Sequence, residues 1–406
     1  MTSPGVPNAR VLSTDAGVAL ADRLAGYVSP HDADRARAAV ETAVVVVERP
    51  GPPAVRFARA LHARGAFAQT TETRLVVGGT RAAFALACAA VDGEAALLGA
   101  EILRAVDADR APAGMLRLRD RTLDLRSRAR VMGILNVTPD SFHDCGTYAR
   151  LDRARARAAE MVALGADIID IGGQSYAHWN PRIAADEERE RVVPVVRALV
   201  ADGLPVALSI DTFRASVAEA ALDAGAHLVN DCSGLSDDAL AAVVARYDAG
   251  LVVMHLKGEL NVRASDYHYD DALGEISTFL RNRTQRARAA GVAADAIVID
   301  PGLEFGKEPG TDLEILERFG DLRSLGYPML VAASRKSFIG RIFDRPSGEL
   351  LVPSLATAAL GIAAGATLVR VHDVAETVEL ATMLAAVRLA RRRTLSFVRA
   401  MPGTPD

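Results

Sequence analysis

The 406-residue sequence predicts an α/β protein, a TIM (β/α)8 barrel with a small N-terminal α/β domain. A short β-rich run, a polar loop and an amphipathic helix recur eight times from Arg130 onward. The repeats occupy about 250 residues, the size of such a barrel rather than of a doubly wound sheet. Polar side chains gather at the downstream ends of the runs, where barrels of this kind build their sites.

The N-terminal domain is placed at residues 1–125, where runs such as AVVVVE from Ala43 and RLVVGG from Arg74 alternate with helical patterns. Within it VVGGTRAA lacks the Lys and the spacing of a phosphate loop, and reads as a strand turning into a helix. DADRAPAG, from Asp107, reads as the linker. The barrel is assigned to 126–398 and a flexible tail to 399–406. Its strands are expected at VMGILN from Val131, DIIDIGG from Asp167, PVALSID from Pro205 and HLVND from His227. Four more are expected at LVVMH from Leu251, AIVID from Ala296, PMLVAAS from Pro328 and TLVRVHD from Thr367. Helical patterns cover 151–164, 186–200, 214–224, 273–290 and 353–364, and Gly165, Gly225, Gly291 and Gly365 stand where helix C-termini favour glycine.

Composition excludes several function classes. At 50% hydrophobic and 24% charged residues the chain buries a sizeable core, and a net charge of -4 argues against a nucleic-acid binder that relies on a broad basic face. Cys88, Cys145 and Cys232 are odd in number, far apart and without CxxC spacing, which fits a reducing compartment better than a disulfide scaffold or zinc site. No apolar run is long enough to span a bilayer without charges, and residues 1–8 lack the basic start of a secretory signal. A cytoplasmic protein with no membrane association is expected.

Each apolar run ends in chemistry: Asn136, the Gln174 loop, Asp211, Asn230 with Asp231, His255 with Lys257, Asp300, Ser334-Arg335-Lys336, and Arg370 with His372. Arg370 and His372 alternate, so they share one strand face. Lys336, Arg335, Arg370 and His372 form a cationic set, with Asn136 and Asp170 as oxygen donors for a hard divalent ion, and this set suits a phosphate-bearing substrate. Asp211, Asn230 and Asp300 suit a flat ring with amidine-like N–H donors, because a carboxylate facing such a group makes two charge-assisted bonds. Each bond contributes about 1.5–3 kcal/mol. Together the sets read as a site for a nitrogen heterocycle plus phosphate.

MGILNVTPDSF from Met132, GADIIDIGGQS, SIDTFR from Ser209, GAHLVNDCSG, IDPGLEFGK from Ile299, SRKSFIG from Ser334 and RVHDV from Arg370 resemble the ordered motifs of the dihydropteroate synthase family. The resemblance runs from about Arg130 to Arg391, and the N-terminal portion is similar in layout to extensions carried by some bacterial members. It implies condensation of 6-hydroxymethyl-7,8-dihydropterin pyrophosphate with p-aminobenzoate, giving dihydropteroate and pyrophosphate with Mg2+ assisting. It implies that Asp211, Asn230, Asp300 and Lys336 grip the pterin, and that Asn136 helps hold metal and pyrophosphate. Arg370 and His372 would form the anion site, with Phe305 and Ser334 flanking the amine substrate. A homodimer through late barrel helices is implied too, and the small-residue stretch PSLATAALGIAAGA from Pro353 fits either that contact or packing on its own barrel.

The loop after the second strand departs from the family. There the usual run is Glu-Ser-Thr-Arg-Pro-Gly; here Gln174 replaces the acid, Ser175 remains, Tyr176 replaces the Thr and Ala177 the Arg. Ser175, Tyr176 and Arg182, with Trp179, are expected to close over p-aminobenzoate in place of the missing guanidinium. The rival readings are a pterin-binding relative that is non-catalytic or takes another substrate, and a methyltetrahydrofolate–corrinoid methyltransferase, against which the anion-site motifs count. Cys145 and His143 are read without a nucleophilic role, since the reaction needs no protein nucleophile.

Overall fold

A computed structural model describes residues 8–12, 43–48, 50–111, 113–137, 147–174, 182–260 and 267–399. The chain packs as two units, Met1–Ala113 with His268–Asn282 and Leu313–Tyr327, and Gly114–Tyr267 with Arg283–Asp312 and Pro328–Asp406.

The first unit holds β1 (Asn8–Val11), β2 (Ala43–Glu48), α1 (Pro53–His62), β3 (Phe67–Thr70), β4 (Arg74–Gly79), α2 (Arg81–Ala89) and α3 (Gly93–Arg110). Its sheet is antiparallel throughout, in the order β1-β2-β4-β3. The strand period of two sends Ala9, Val11, Val45, Val47 and Val77 to one face, where they bury against Phe57, Leu61, Phe84, Leu98 and Ile102 of the helices. Thr80 caps α2 by accepting the Ala83 N–H at 3.0 Å.

Arg10, 1% exposed, donates to Asp271 at 2.7 Å. Asp271 also caps the helix Ala272–Ala289 by accepting the Gly274 N–H at 3.1 Å. Burial alone would raise the Asp271 pKa, but Arg10, the cap and Arg318 together prevail and hold it at about 2. Because that value lies below the unfolded one, the pair's contribution is complete above pH 4 and is lost as pH falls toward 2. Asp271→Asn, which keeps a capping side chain, is therefore expected to lower stability by about 2 kcal/mol at pH 7. The gap should close in acid, and denaturant melts across pH would check it.

The second unit opens with a hairpin, β5 (Met115–Leu118) and β6 (Arg121–Asp124). The barrel follows as β7 (Arg130–Asn136), α4 (Thr147–Ala163), β8 (Ile168–Gly172), α5 (Ala185–Ala201), β9 (Ala207–Asp211), α6 (Ala215–Asp223), β10 (Leu228–Asp231) and α7 (Leu240–Arg246). It continues with β11 (Gly250–Met254), α8 (Ala272–Ala289), β12 (Ile297–Asp300), α9 (Pro309–Glu317), β13 (Leu330–Val331), α10 (Ser337–Phe343), α11 (Leu351–Ala363), β14 (Leu368–Val371) and α12 (Val374–Arg399). The eight barrel strands are all parallel, and a bridge between Ile299 and Met329 closes the ring. Met132, Ile168, Ala207, Leu228, Val252, Val298, Leu330 and Leu368, one from each strand, form an apolar floor.

Leu116, Leu118 and Leu125 bury in that floor. The unit boundary therefore falls at Ala113 rather than at the expected residue 125, because the hairpin plugs the barrel instead of completing the N-terminal sheet. The seventh strand is also shorter than PMLVAAS predicts. After Val331 the chain leaves the sheet for a turn in which Arg335 takes a φ of 59°.

Candidate active site

The polar strand ends converge at the mouth opposite the floor. From Ile168 and Leu368 in the floor, two residues along each strand lead to Asp170 and Arg370, on the same inward face. Arg370 Nε donates to Asp170 Oδ2 at 2.6 Å, and Nη2 donates to Asp211 Oδ2 at 2.6 Å. Asn230 Nδ2 adds a bond of 3.1 Å to Asp170 Oδ2. Burial opposes the charge on Arg370, but the two carboxylates outweigh it and raise its pKa above the ordinary value. Asp211 moves up through burial, against the pull of Arg370. Asn136, exposed at the end of β7, stands across Gly172 from Asp211: a Cβ at Gly172 would lie 3.4 Å from Asn136 Oδ1 and 3.7 Å from Asp211 Cβ. Asp170 Oδ1 and Ser209 Oγ are buried at this mouth without a hydrogen-bond partner among the described residues.

The opposite wall is built by the loops after β11 and β12. Asp300, 3% exposed, accepts the Gly302 N–H at 2.7 Å; burial raises its pKa while Lys336 draws it down. Gly302 and Gly306 have φ of 68° and 65°, and a Cβ at either would lie 2.0 Å from the carbonyl oxygen of His255 or Lys257 respectively. Only glycine allows that approach of backbone to backbone. Lys307, given no role by sequence reasoning, locks the same contact: Nζ donates to Gly302 O at 2.7 Å and Phe305 O at 2.8 Å, and lies 2.9 Å from His255 Nδ1. Burial lowers Lys307 to about 7. The signal for it was present in the sequence, a lone lysine closing the glycine-rich run GLEFGK.

Phe305 is thereby fixed at the mouth. The Lys336 ammonium lies 4.9 Å from its ring centroid and donates to Leu303 O at 2.7 Å. Phe305 joins Phe213, Leu256, Cys232, Met254 and Leu260 in an apolar cluster. Arg182, expected over the amine, donates to Leu260 O at 2.9 Å and stands 6.0 Å from the Phe213 ring, at the edge of this cluster.

After β13 and β14, Ser334 Oγ accepts the His372 backbone N–H at 3.1 Å and stands 3.1 Å from His372 Nδ1, so one hydroxyl holds both the strand end and the ring. Burial first, then Arg370, lowers His372 to about 4, so it is neutral at pH 7 rather than a cation. Arg335 also differs from expectation. Its guanidinium is clamped by Asp373 at 3.0 and 2.7 Å and by the Ser347 and Gly348 carbonyls, so its charge holds the turn together instead of serving the cationic set.

Gln174 is 5% exposed, and neither its amide oxygen nor its nitrogen has a partner among the described residues. Ser175 and Tyr176 lie outside the described residues, as do Trp179, His143 and Cys145. Among the described residues no three His, Cys, Asp or Glu side chains cluster as a metal cage.

Fold and site together define a TIM-barrel enzyme whose mouth takes a flat nitrogen heterocycle beside an anionic group. Residues 132–372 match the pterin binding enzyme family, and the chain belongs to it. It is 43% identical over 253 residues to the dihydropteroate synthase of Synechocystis sp., covering 62% of this chain and 87% of that protein. To the dihydropteroate synthase of Bacillus subtilis it is 41% identical over 266 residues, 65% of this chain and 90% of that protein. A solved dihydropteroate synthase from Xanthomonas albilineans, with 4-aminobenzoic acid, is similar with a TM-score of 0.63 at 38% identity, over 68% of this chain and 98% of that one. A further one from Clostridium difficile, in the presence of pteroic acid, gives 0.62 at 41% identity over 65% and 98%.

Proposed function

We infer that the chain is a dihydropteroate synthase, a transferase of folate biosynthesis that joins 6-hydroxymethyl-7,8-dihydropterin pyrophosphate to p-aminobenzoate. The observation that carries this reading is the convergence of Asp211, Asn230, Asp300 and Lys336 on one mouth that also holds Arg370. Asp300 and Asp211 accept N–H bonds from the pterin ring, while Asn230 and Lys336 address its remaining polar edge. Arg370 and His372 face the pyrophosphate. The C–O bond to pyrophosphate breaks, the aniline nitrogen forms the new C–N bond to the pterin methylene, and that nitrogen sheds a proton. Fixed donors aimed at charge developing on the leaving oxygen lower the barrier without reorganisation at the moment of reaction.

Mg2+ fits as a companion of the substrate. Asn136 offers one exposed oxygen beside Gly172 and Asp211, and Mg2+ is commonly held by one or two protein oxygens together with substrate phosphates and waters. Bound there it would neutralise charge on the leaving pyrophosphate.

The aromatic amine packs on Phe305 beside Ser334, with Arg182 at the edge of the same apolar cluster. Val352 and Leu360 of α11 and Met383, Val387 and Leu389 of α12 are exposed apolar residues on the two late helices, and they support a homodimer through that face. No helix of the described residues is long and apolar enough to cross a membrane. Cytoplasmic residence is part of the same reading, supported by the cysteine pattern.

Incubation with the pterin pyrophosphate, Mg2+ and p-aminobenzoate should yield dihydropteroate and pyrophosphate in equal amounts. Pterin binding without pyrophosphate release would instead make the chain a non-catalytic relative, the reading that the altered loop at Gln174 favours. Absence of any calorimetric signal with the pterin substrate would remove both.

A further inference from the structure

Glu304 stands in a conformation that favours glycine, with a φ of 74°. Such a backbone persists where its surroundings hold it, and residues of this kind cluster at functional sites. The hold is visible. Asp312 Oδ1 accepts the Glu304 N–H at 2.7 Å, and the Glu304 carboxylate accepts the Ser337 N–H at 2.8 Å together with the Ser337 hydroxyl.

The neighbours of this contact give it a chemical meaning. Phe305 follows Glu304 in the chain and Lys336 precedes Ser337, with the Lys336 ammonium 4.9 Å from the Phe305 ring centroid. An aromatic face, a cation, an N–H and an O–H within one contact form the set that recognises an aromatic carboxylate. In this chain a carboxylate already sits on the two neutral donors, and it belongs to the protein.

We propose that Glu304 is a specificity-determining residue: its carboxylate occupies the anion-binding donors of the amine slot and competes there with the carboxylate of the incoming aromatic amine. The proposal rests on the reading that Phe305 faces that amine. Two consequences follow from electrostatics. An anionic amine must displace Glu304 from Ser337 before it can use those donors, whereas a neutral amine of the same shape need not.

The test compares kcat/KM for 4-aminobenzoate with that for uncharged 4-aminobenzamide at saturating pterin pyrophosphate. Glu304→Gly, which suits the φ and removes the carboxylate, should raise the ratio about tenfold through a lower KM for 4-aminobenzoate. Glu304→Gln, which keeps the shape and removes the charge, should raise it by a smaller factor and serves if the glycine variant folds poorly. The KM for the pterin substrate should stay within about twofold, a split that a merely structural role would not give. A ratio unchanged in both variants, or a proportional loss for both substrates, overturns the role of Glu304 while leaving the synthase reading intact. A wild-type protein that joins neither amine to the pterin overturns both.

Discussion

Arg370→Met is expected to abolish pyrophosphate release and to destabilise the barrel in the same stroke. The guanidinium joins Asp170 and Asp211 through two bonds of 2.6 Å, and both carboxylates are buried. Removing one partner of a buried ionic set leaves uncompensated charge in a medium that solvates it poorly, a change of about 3–5 kcal/mol. Catalysis should fall by about a thousandfold or more, since the role proposed for the same group is to face the leaving pyrophosphate. Arg370→Lys should be intermediate for stability, because an ammonium keeps the charge but lacks the planar fork that reaches both acids. The two effects separate in a double variant. Adding Asp170→Asn to Arg370→Met removes one of the stranded charges and should recover part of the melting temperature, with no recovery of turnover. A single variant that melts and turns over like the parent would show that the bridge is incidental.

The positions of the site residues were legible because one physical rule generates them. A strand alternates faces with a period of two, so counting by twos from the floor residues Ile168, Leu228, Val298 and Leu368 arrives at Asp170, Asn230, Asp300 and Arg370. The eightfold beat then brings those positions to one mouth. What each side chain does there was less legible, since its partner comes from another strand and depends on how the ring closes. Arg370 lies 200 residues from Asp170, and no local pattern announces their bond. Arg335 shows the same limit in reverse: it stands between Ser334 and Lys336 yet turns to Asp373, 38 positions away. The hairpin at Leu116 and Leu118 was assigned to the wrong unit for a related reason. Two short alternating runs look alike whether they extend a sheet or seal a barrel, and only the apolar floor decides between the two.

Asp300→Asn should weaken pterin binding by about a hundredfold or more while leaving the fold as stable as before, or more so, at neutral pH. The amide oxygen can still accept the Gly302 N–H, so the loop after β12 keeps its anchor. What disappears is the negative charge, and with it the charge-assisted part of the two bonds proposed to the pterin ring, each about 1.5–3 kcal/mol. The stability argument has the opposite sign. Burial raises the Asp300 pKa despite Lys336, so the protonated group suits the folded state and the ionised one is disfavoured there. Its favourable contribution belongs to acid pH and fades as pH rises through the folded value, which leaves a penalty near neutrality that asparagine does not carry. Melting curves at pH 7.5 should therefore show no loss, alongside calorimetry in which the pterin signal is nearly gone. Such a division, binding lost while stability is kept or gained, is the mark of a residue held in place for its ligand rather than for the fold. Pterin affinity within threefold of the parent would place the heterocycle elsewhere in the barrel.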